Sequence, residues 1–277
     1  MNPGILTSGY APPPMPYGLL GAPQPAPTID RFPQIGFNPR SIPDLALWLD
    51  GADAGSMGNT PAGVGGASNN GPVKYWADKS GSGRHATNTG ADSVCPTLLA
   101  GTVNGRSALR FDGGDFITGN QAWTVTTQTT FVVARMVTGT AEFARLFTQS
   151  DAGNDWNNAG HYIPLVRSSS ASAIASWAAS DLRASMQISF GEWFVACSRH
   201  TGSRITNSLN GGLNIVADGQ SLNKTFTRYR VGDTAGTPSA TLVGAVAEVL
   251  VFTRSLSDIE KRAIDRYLGS KWGITVA

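Results

Sequence analysis

An all-β fold, built as a two-sheet antiparallel sandwich, follows from three features of this 277-residue sequence. Glycine is abundant, at 33 residues, while charged residues make up only 14% of the chain, a composition of short strands joined by many turns. Apolar segments rich in Val, Phe, Ala and Thr recur between clusters of Gly, Asn, Asp and Ser. No fixed-period repeat runs through them, which argues against a propeller or a solenoid.

Residues 1 to 43 hold 11 of the 16 prolines and only three charged residues, Asp30, Arg31 and Arg40. Proline lacks the amide donor and fixes φ, so this stretch forms neither helix nor central strand. It reads as an extended, Pro-rich N-terminal arm over residues 1–42. A solvated linker would carry charge or Ser/Gly, whereas this arm carries Ile5, Leu6, Tyr10, Tyr17, Leu19, Leu20, Phe32 and Phe37. These side chains are the expected anchors of a strap laid on neighbouring subunits; the alternative is a free linker.

The domain then spans 43–277. Strands are expected at "LALWLD" (45–50), "SALRFDG" (107–113), "TTFVVARMV" (129–137), "EFARLFTQ" (142–149), "WFVACSRH" (193–200), "TRYRVGD" (227–233) and "TLVGAVAEVLVFTR" (241–254). Gly, Asn and Asp make loops of 58–72 and 150–160. One C-terminal helix is expected after Ser257, which forms a capping box with Glu260. Ile259, Ala263, Ile264, Tyr267 and Leu268 form its apolar stripe.

Other classes are set aside on composition. A net charge of +2 with scattered basic residues leaves no footprint for nucleic acid. No apolar run is long enough to span a bilayer, and the N-terminus has no basic n-region followed by an unbroken apolar h-region, so neither a membrane partner nor a signal peptide is expected. Cys95 and Cys197 match no zinc spacing and read as two buried free thiols.

Four ordered segments carry a resemblance: "IPDLALWLDGAD", "VKYWADKSGSGRHA", "NGRSALRFDGGDFI" and "GAVAEVLVFTRSLSDIEKRAIDRYLGSKWGI". Together they resemble the concanavalin A-like, laminin-G-like jelly-roll domains found in many bacterial and bacteriophage proteins. The resemblance covers residues 43–277 and implies a jelly-roll sandwich of two curved sheets. It implies no single function, because this fold hosts lectins, hydrolases, adhesion modules and virion proteins.

Catalytic chemistry finds little support in the residues. Glycoside cleavage needs paired carboxylates, and the four glutamates, Glu142, Glu192, Glu248 and Glu260, lie in no such pattern. His85, His161 and His200 accompany no nucleophile or metal motif, and His85 reads as a solvated turn residue. Glu248 alternates with Val246, Leu250 and Phe252 and is expected to be buried against a partner, for which Arg110 is the candidate.

In "VKYWADKSGSGRHA", Trp76 is read as a core anchor, like Trp48. Asp78, Ser80, Gly81 and Gly83 are read as a turn whose side-chain oxygens bond backbone amides and whose glycines take positive φ. The alternative is calcium, which laminin-G-like domains frequently bind: Asp78 with Asp50 or Asp53, or Asp112 with Asp115, are the candidate ligands. No other cofactor is expected. The best aromatic and amide cluster for a sugar is Asp155, Trp156, Asn157, Asn158 and Tyr162.

The expectation is therefore a non-enzymatic bacteriophage virion protein, a capsid decoration or cement protein on the particle exterior. Its partners would be the major capsid protein or other virion proteins and further copies of itself. The alternative is a glycan-binding adhesion module of a tail fibre or cell-surface protein.

Overall fold

Alternation of inward apolar and outward polar side chains closes two antiparallel sheets on one another in the computed structural model. It describes residues 36–150, 162–167, 173–178, 181–219, 221–233 and 241–277. The strands are β1 (Leu45–Asp50), β2 (Met57–Gly58), β3 (Tyr75–Trp76), β4 (Ala86–Thr87), β5 (Thr97–Val103), β6 (Arg106–Asp112), β7 (Ile117–Val125), β8 (Gln128–Met136), β9 (Arg145–Ser150), β10 (Tyr162–Arg167), β11 (Ala173–Ala178), β12 (Asp181–Gln187), β13 (Trp193–His200), β14 (Arg204–Leu209), β15 (Ile215–Asp218), β16 (Lys224–Val231) and β17 (Val243–Phe252). One α-helix, α1 (Asp258–Trp272), follows the last strand.

The first sheet runs β15-β14-β13-β8-β17-β6-β5, with β1 also paired to β17; the second runs β12-β11-β10-β9-β16-β7-β4-β3-β2. Between them lies an apolar core that includes Leu47, Leu49, Trp76, Phe111, Phe147, Phe226 and Val249. A second apolar layer covers the outer face of the first sheet, where Trp48, Phe131, Leu250 and Phe252 meet Ile264, Leu268 and Trp272 of α1. Burying Ile264 and Leu268 stabilises this docking by about 1.5–3 kcal/mol each. Cys95 and Cys197 are both buried and free, and burial pushes the Cys197 thiol up to about 12.

Helix α1 starts as its sequence dictates. Ser257 accepts from the Glu260 amide while the Glu260 carboxylate accepts from the Ser257 amide, and Gly273 ends the helix in the left-handed region at φ 69. Arg254 grips Glu260 through two hydrogen bonds of 2.9 and 2.6 Å, which holds the Glu260 carboxyl down at about 2. The buried face, however, is rotated from the expected stripe. Ile259 is 80% exposed, and its place is taken by a buried Lys261–Asp265 ion pair of 2.7 Å. At the other end of the domain, packing begins earlier than residue 43: Phe37 lies 5.5 Å from the Tyr267 ring, Pro39–Ser41 form a 3-10 turn, and Ile42 is buried in the outer layer.

A polar cluster sits inside that layer. Asp50 and Glu248 face each other in the β1–β17 register, and like charges directly opposed on a sheet repel. Lys271 of α1 resolves this by binding Asp50 at 2.6 Å and Glu248 at 2.8 Å; its third proton goes to the Tyr267 hydroxyl at 3.0 Å. Glu248 also accepts from Trp48 Nε1 at 2.7 Å, Trp272 Nε1 at 2.6 Å and the Tyr267 hydroxyl at 3.0 Å. Lys79 binds the second Asp50 oxygen at 2.9 Å and Asp53 at 3.1 Å. Burial lifts the Glu248 pKa above the ordinary carboxylate value; Lys271 opposes that shift and Asp50 adds to it. At Asp50 burial pushes the same way, but Lys271 and Lys79 outweigh it and leave the pKa lowered.

The expected partner Arg110 is not part of this cluster. The register slips between Val246 and Glu248, and the extra residue rotates Glu248 onto the face of Leu250 and Phe252, beneath α1, while Val246 points into the inter-sheet core. Arg110 is exposed. Among the described residues, no helix is long and apolar enough to cross a membrane.

Two predictions follow from these buried acids. Every partner of Glu248 is a donor, so the amide of Glu248→Gln must turn its NH2 group against another N–H or O–H and leaves Lys271 undercompensated. A loss of about 3 kcal/mol, seen as a Tm lower by about 6–12 °C, is expected in thermal melts; an unchanged Tm would show the cluster contributes nothing. Asp115 is buried and its Oδ2 accepts from the Asp112 amide at 2.9 Å. Burial first, then the neighbouring Asp112, raises its pKa from 3.8 to about 7. A raised carboxyl pKa means that the folded state holds a proton the unfolded state has released, so this group's contribution falls as pH rises from about 4 to about 7. Asp115→Asn, which keeps the acceptor, is expected to match the parent protein at pH 4 and exceed it by about 1–2 kcal/mol at pH 8 in denaturant titrations.

Candidate functional site

The segment 77–86 wraps around a single carboxylate. Asp78 Oδ1 accepts from the amides of Trp48 and Ser80, at 2.9 and 2.8 Å, and Oδ2 from the Ser80 hydroxyl and the Arg84 amide, at 2.8 and 3.0 Å. Gly81 and Gly83 take φ of 96 and 68, which a side chain would strain. The turn is thereby fastened to β1, through Leu49↔Asp78 and the Lys79 amide on the Trp48 carbonyl at 2.7 Å. It returns as β4 along the second sheet.

That sheet's outer face is polar because the residues that alternate with its core positions are Thr, Asn and Arg. In register, Tyr75 of β3 lies opposite Thr87 of β4, Thr87 opposite Thr118 of β7, and Thr118 opposite Arg230 of β16. One step along, Asn120 lies opposite Arg228 and Arg228 opposite Ser150. The turn stands beside these rows and makes a groove of about 400 Å³ lined by Tyr75, Gly83, Arg84, His85, Thr87, Thr118, Gly119, Asn120 and Arg228. None of these lining residues is acidic.

Each side chain in the groove has a defined chemical role. The Tyr75 and His85 rings form a tilted pair with centroids 5.2 Å apart. His85 Nδ1 accepts from the Asp78 amide at 3.0 Å, which puts the proton of the neutral ring on Nε2, at the exposed side of the turn. The Thr118 hydroxyl donates to the Tyr229 carbonyl at 2.7 Å and keeps its lone pairs for an incoming donor. Arg228 Nε donates to the Ser150 hydroxyl at 2.9 Å. Arg84 is committed to the scaffold instead: its guanidinium lies 5.0 Å from the Trp123 ring centre and donates to the Ala46 carbonyl at 3.0 Å.

Gly119 makes the groove floor buildable. The buried Tyr229 passes beneath it so that its hydroxyl donates to the Arg84 carbonyl at 2.6 Å, and a Cβ at position 119 would lie 2.3 Å from that oxygen. The tyrosine thus ties the sheet interior to the turn, stacked on Phe147 at 5.8 Å.

Three of the acids considered as calcium ligands, Asp78, Asp50 and Asp53, are held by other partners. Asp78 is saturated by four donors and Asp50 is bound by two lysines, one of which also holds Asp53. Asp112 is exposed while Asp115 is buried against its amide. Among the described residues, no three His, Cys, Asp or Glu side chains come together as a metal-binding group. Asp155, Trp156, Asn157 and Asn158 lie outside the described residues, as do the arm positions Ile5, Leu6, Tyr10, Tyr17, Leu19, Leu20 and Phe32; the backbone of Tyr162 pairs with Gln149. Phe37 packs on α1 of its own domain. The sequence marks Gly83 and His85 only as turn residues and gives Tyr75, Asn120 and Arg228 no role; the period-two spacing of Thr118 and Asn120 is the available signal.

No protein-family model matches the chain, and no curated protein matches it. Solved structures do. Domain 4 of a GH43 extracellular arabinanase from Geobacillus stearothermophilus, in complex with arabinotriose, is similar with a TM-score of 0.58 and 11% identity over 80% of this chain and 98% of that one. A GH54 α-L-arabinofuranosidase soaked with a cyclic sulfate inhibitor gives 0.55 and 16%, over 72% of this chain and 51% of the other. A Trypanosoma rangeli sialidase in complex with sialic acid gives 0.53 and 12%, over 84% and 34%. The chain therefore spans about half of the arabinofuranosidase and about a third of the sialidase. At these identities the likeness establishes the fold alone, a β-sandwich.

Proposed function

We propose that this chain is a non-catalytic glycan-binding module and that the groove on the outer face of its second sheet receives the sugar. The observation that carries this reading is the groove's composition: an aromatic pair beside an amide, two threonines and a guanidinium, with no acid among the lining residues. A pyranose or furanose presents C–H bonds on one face and hydroxyls around its rim, which matches an aromatic platform flanked by fixed donors and acceptors. Asn120 supplies both, Thr118 accepts, and His85 Nε2 and Arg228 donate. Cleavage would need a carboxyl pair at the sugar; of the neighbouring acids described above, Asp50 and Glu248 are buried beneath α1, and Asp112 and Asp115 are not among the groove's lining residues. The domain likeness to an arabinanase domain solved with arabinotriose supports the same reading.

Decoration of a virion, with residues 1–42 as its strap, rests on the composition of that arm and on the resemblance to jelly-roll domains found in bacteriophage proteins, and no observation among the described residues favours it. The three neighbours named above are not virion proteins.

Screening the purified chain on a glycan array, followed by calorimetry on the best ligand, tests the proposal. Tyr75→Ala is expected to weaken binding about ten-fold and Asn120→Ala about five-fold. Because Asn120 is exposed, its variant should melt with the parent protein. Binding that survives both substitutions places the sugar elsewhere and removes the groove from consideration.

A further inference from the structure

We infer that the surface around Trp193, at the C-terminal end of α1, docks the Pro-rich N-terminal arm of a second copy of this chain. This surface belongs to the first sheet and shares no lining residue with the groove, so its role is independent of the glycan-binding reading. Of the five tryptophans whose side chains are described, Trp48, Trp76, Trp123 and Trp272 are buried, and Trp193 is half-buried. It borders two openings. One, of about 620 Å³, is lined also by Thr102, Asn104 and Thr275; the other holds about 240 Å³, and Glu192 and Asn210 line both, so the two meet at the indole.

Local structure holds this surface in place. Asn104 and Gly105 take φ of 46 and 71 in the tight turn between β5 and β6, and the Asn104 side chain donates to the Lys271 carbonyl at 3.0 Å. Trp193 opens β13 opposite Arg135, whose guanidinium lies 5.4 Å from the ring centre and lines neither opening. Asn210 Oδ1 accepts from the Val195 amide at 2.8 Å, which leaves its NH2 group as a donor.

A polyproline strip supplies what such a surface takes: pyrrolidine faces for the indole, and backbone carbonyls without internal partners for side-chain donors. Because proline fixes φ, docking it costs less chain entropy than ordering an ordinary peptide. The sequence carries one such strip, "APPPMPY" at residues 11–17, in which Pro13 and Pro16 stand one polyproline turn apart. It is uncharged and meets no repulsion from Glu192. About 20 residues separate Pro16 from Gly36, where the described chain begins; extended, they reach about 65 Å, further than the about 45 Å width of a domain this size. A neighbour is therefore within reach, and since every copy has both strip and surface, two copies can exchange arms reciprocally and close as a dimer.

The experiment titrates a fluorescein-labelled peptide of residues 8–20, SGYAPPPMPYGLL, with the full chain carrying Pro13→Ala and Pro16→Ala, so that its own arm does not compete. Anisotropy should report binding that weakens about ten-fold when Trp193→Ala is added and less with Trp193→Phe. A peptide with both prolines replaced by Ala should bind about five-fold more weakly. In sedimentation velocity the parent chain should associate as its concentration rises, and either Trp193→Ala or the two proline substitutions should shift that association to about ten-fold higher concentration. The prolines lie outside the described domain, so their variant should melt with the parent and its loss of association is not an effect of unfolding. A peptide that fails to bind, or that binds equally well with Trp193→Ala, overturns the inference. So does a parent chain that binds the peptide yet stays monomeric at every concentration. If the peptide fails while a neutral glycan from the array is weakened by Trp193→Ala, the surface takes sugar and the inference is overturned; a glycan array without hits leaves it untouched.

Discussion

Two carboxylates stand face to face across the pairing of the first and last strands, and the outer half of this domain is arranged around making that tolerable. Asp50 and Glu248 are both buried, in direct register. A lone ammonium between them, Lys271, is reached only if α1 lies over the sheet with its last turn at that point. The indoles of Trp48 and Trp272 and the Tyr267 hydroxyl complete the shell. Such a network is expensive to bury and strongly direction-dependent, so it adds little net stability over an apolar packing of the same volume but specifies one docking of the helix.

The same network reaches the far side of the molecule through the chain itself. Lys79, which neutralises the second oxygen of Asp50, directly follows Asp78, whose carboxylate organises the turn at 77–86. That turn presents His85 and meets Tyr229 from below. A buried charge cluster under the helix and an open groove on the opposite sheet are therefore joined by one short segment. The segments "IPDLALWLDGAD", "VKYWADKSGSGRHA" and "GAVAEVLVFTRSLSDIEKRAIDRYLGSKWGI" contain most of these residues, so they encode how the sandwich closes and where its helix sits.

This division also separates structure from function. Beneath α1 each buried charge has counter-charges and hydrogen bonds, as a stable scaffold requires. On the outer face of the second sheet the polar side chains are aligned in rows, and among the described residues Arg228 bonds the neutral Ser150 hydroxyl. Unmet hydrogen-bonding capacity on a rigid sheet is what a ligand can satisfy without reorganising the protein.

The fold class, the capped C-terminal helix, the two core tryptophans and the turn chemistry of Asp78, Gly81 and Gly83 were legible in the sequence, because each rests on local rules of pattern, capping or φ. The strands "TTFVVARMV" and "GAVAEVLVF" announced themselves by β-branched and apolar content. β7, "ITGNQAWTV", did not: its outward Thr and Asn and its Gly119 read as loop until a neighbour supplies the ladder. Tertiary structure alone decided the rest. One inserted residue at Ala247 turned Glu248 out of the inter-sheet core and under α1, where Lys271 and not Arg110 meets it, since a single-residue slip on a strand changes the face of every following side chain. The groove was decided in the same way, because Tyr75, His85, Asn120 and Arg228 come from four segments whose register, and not whose spacing, brings them together.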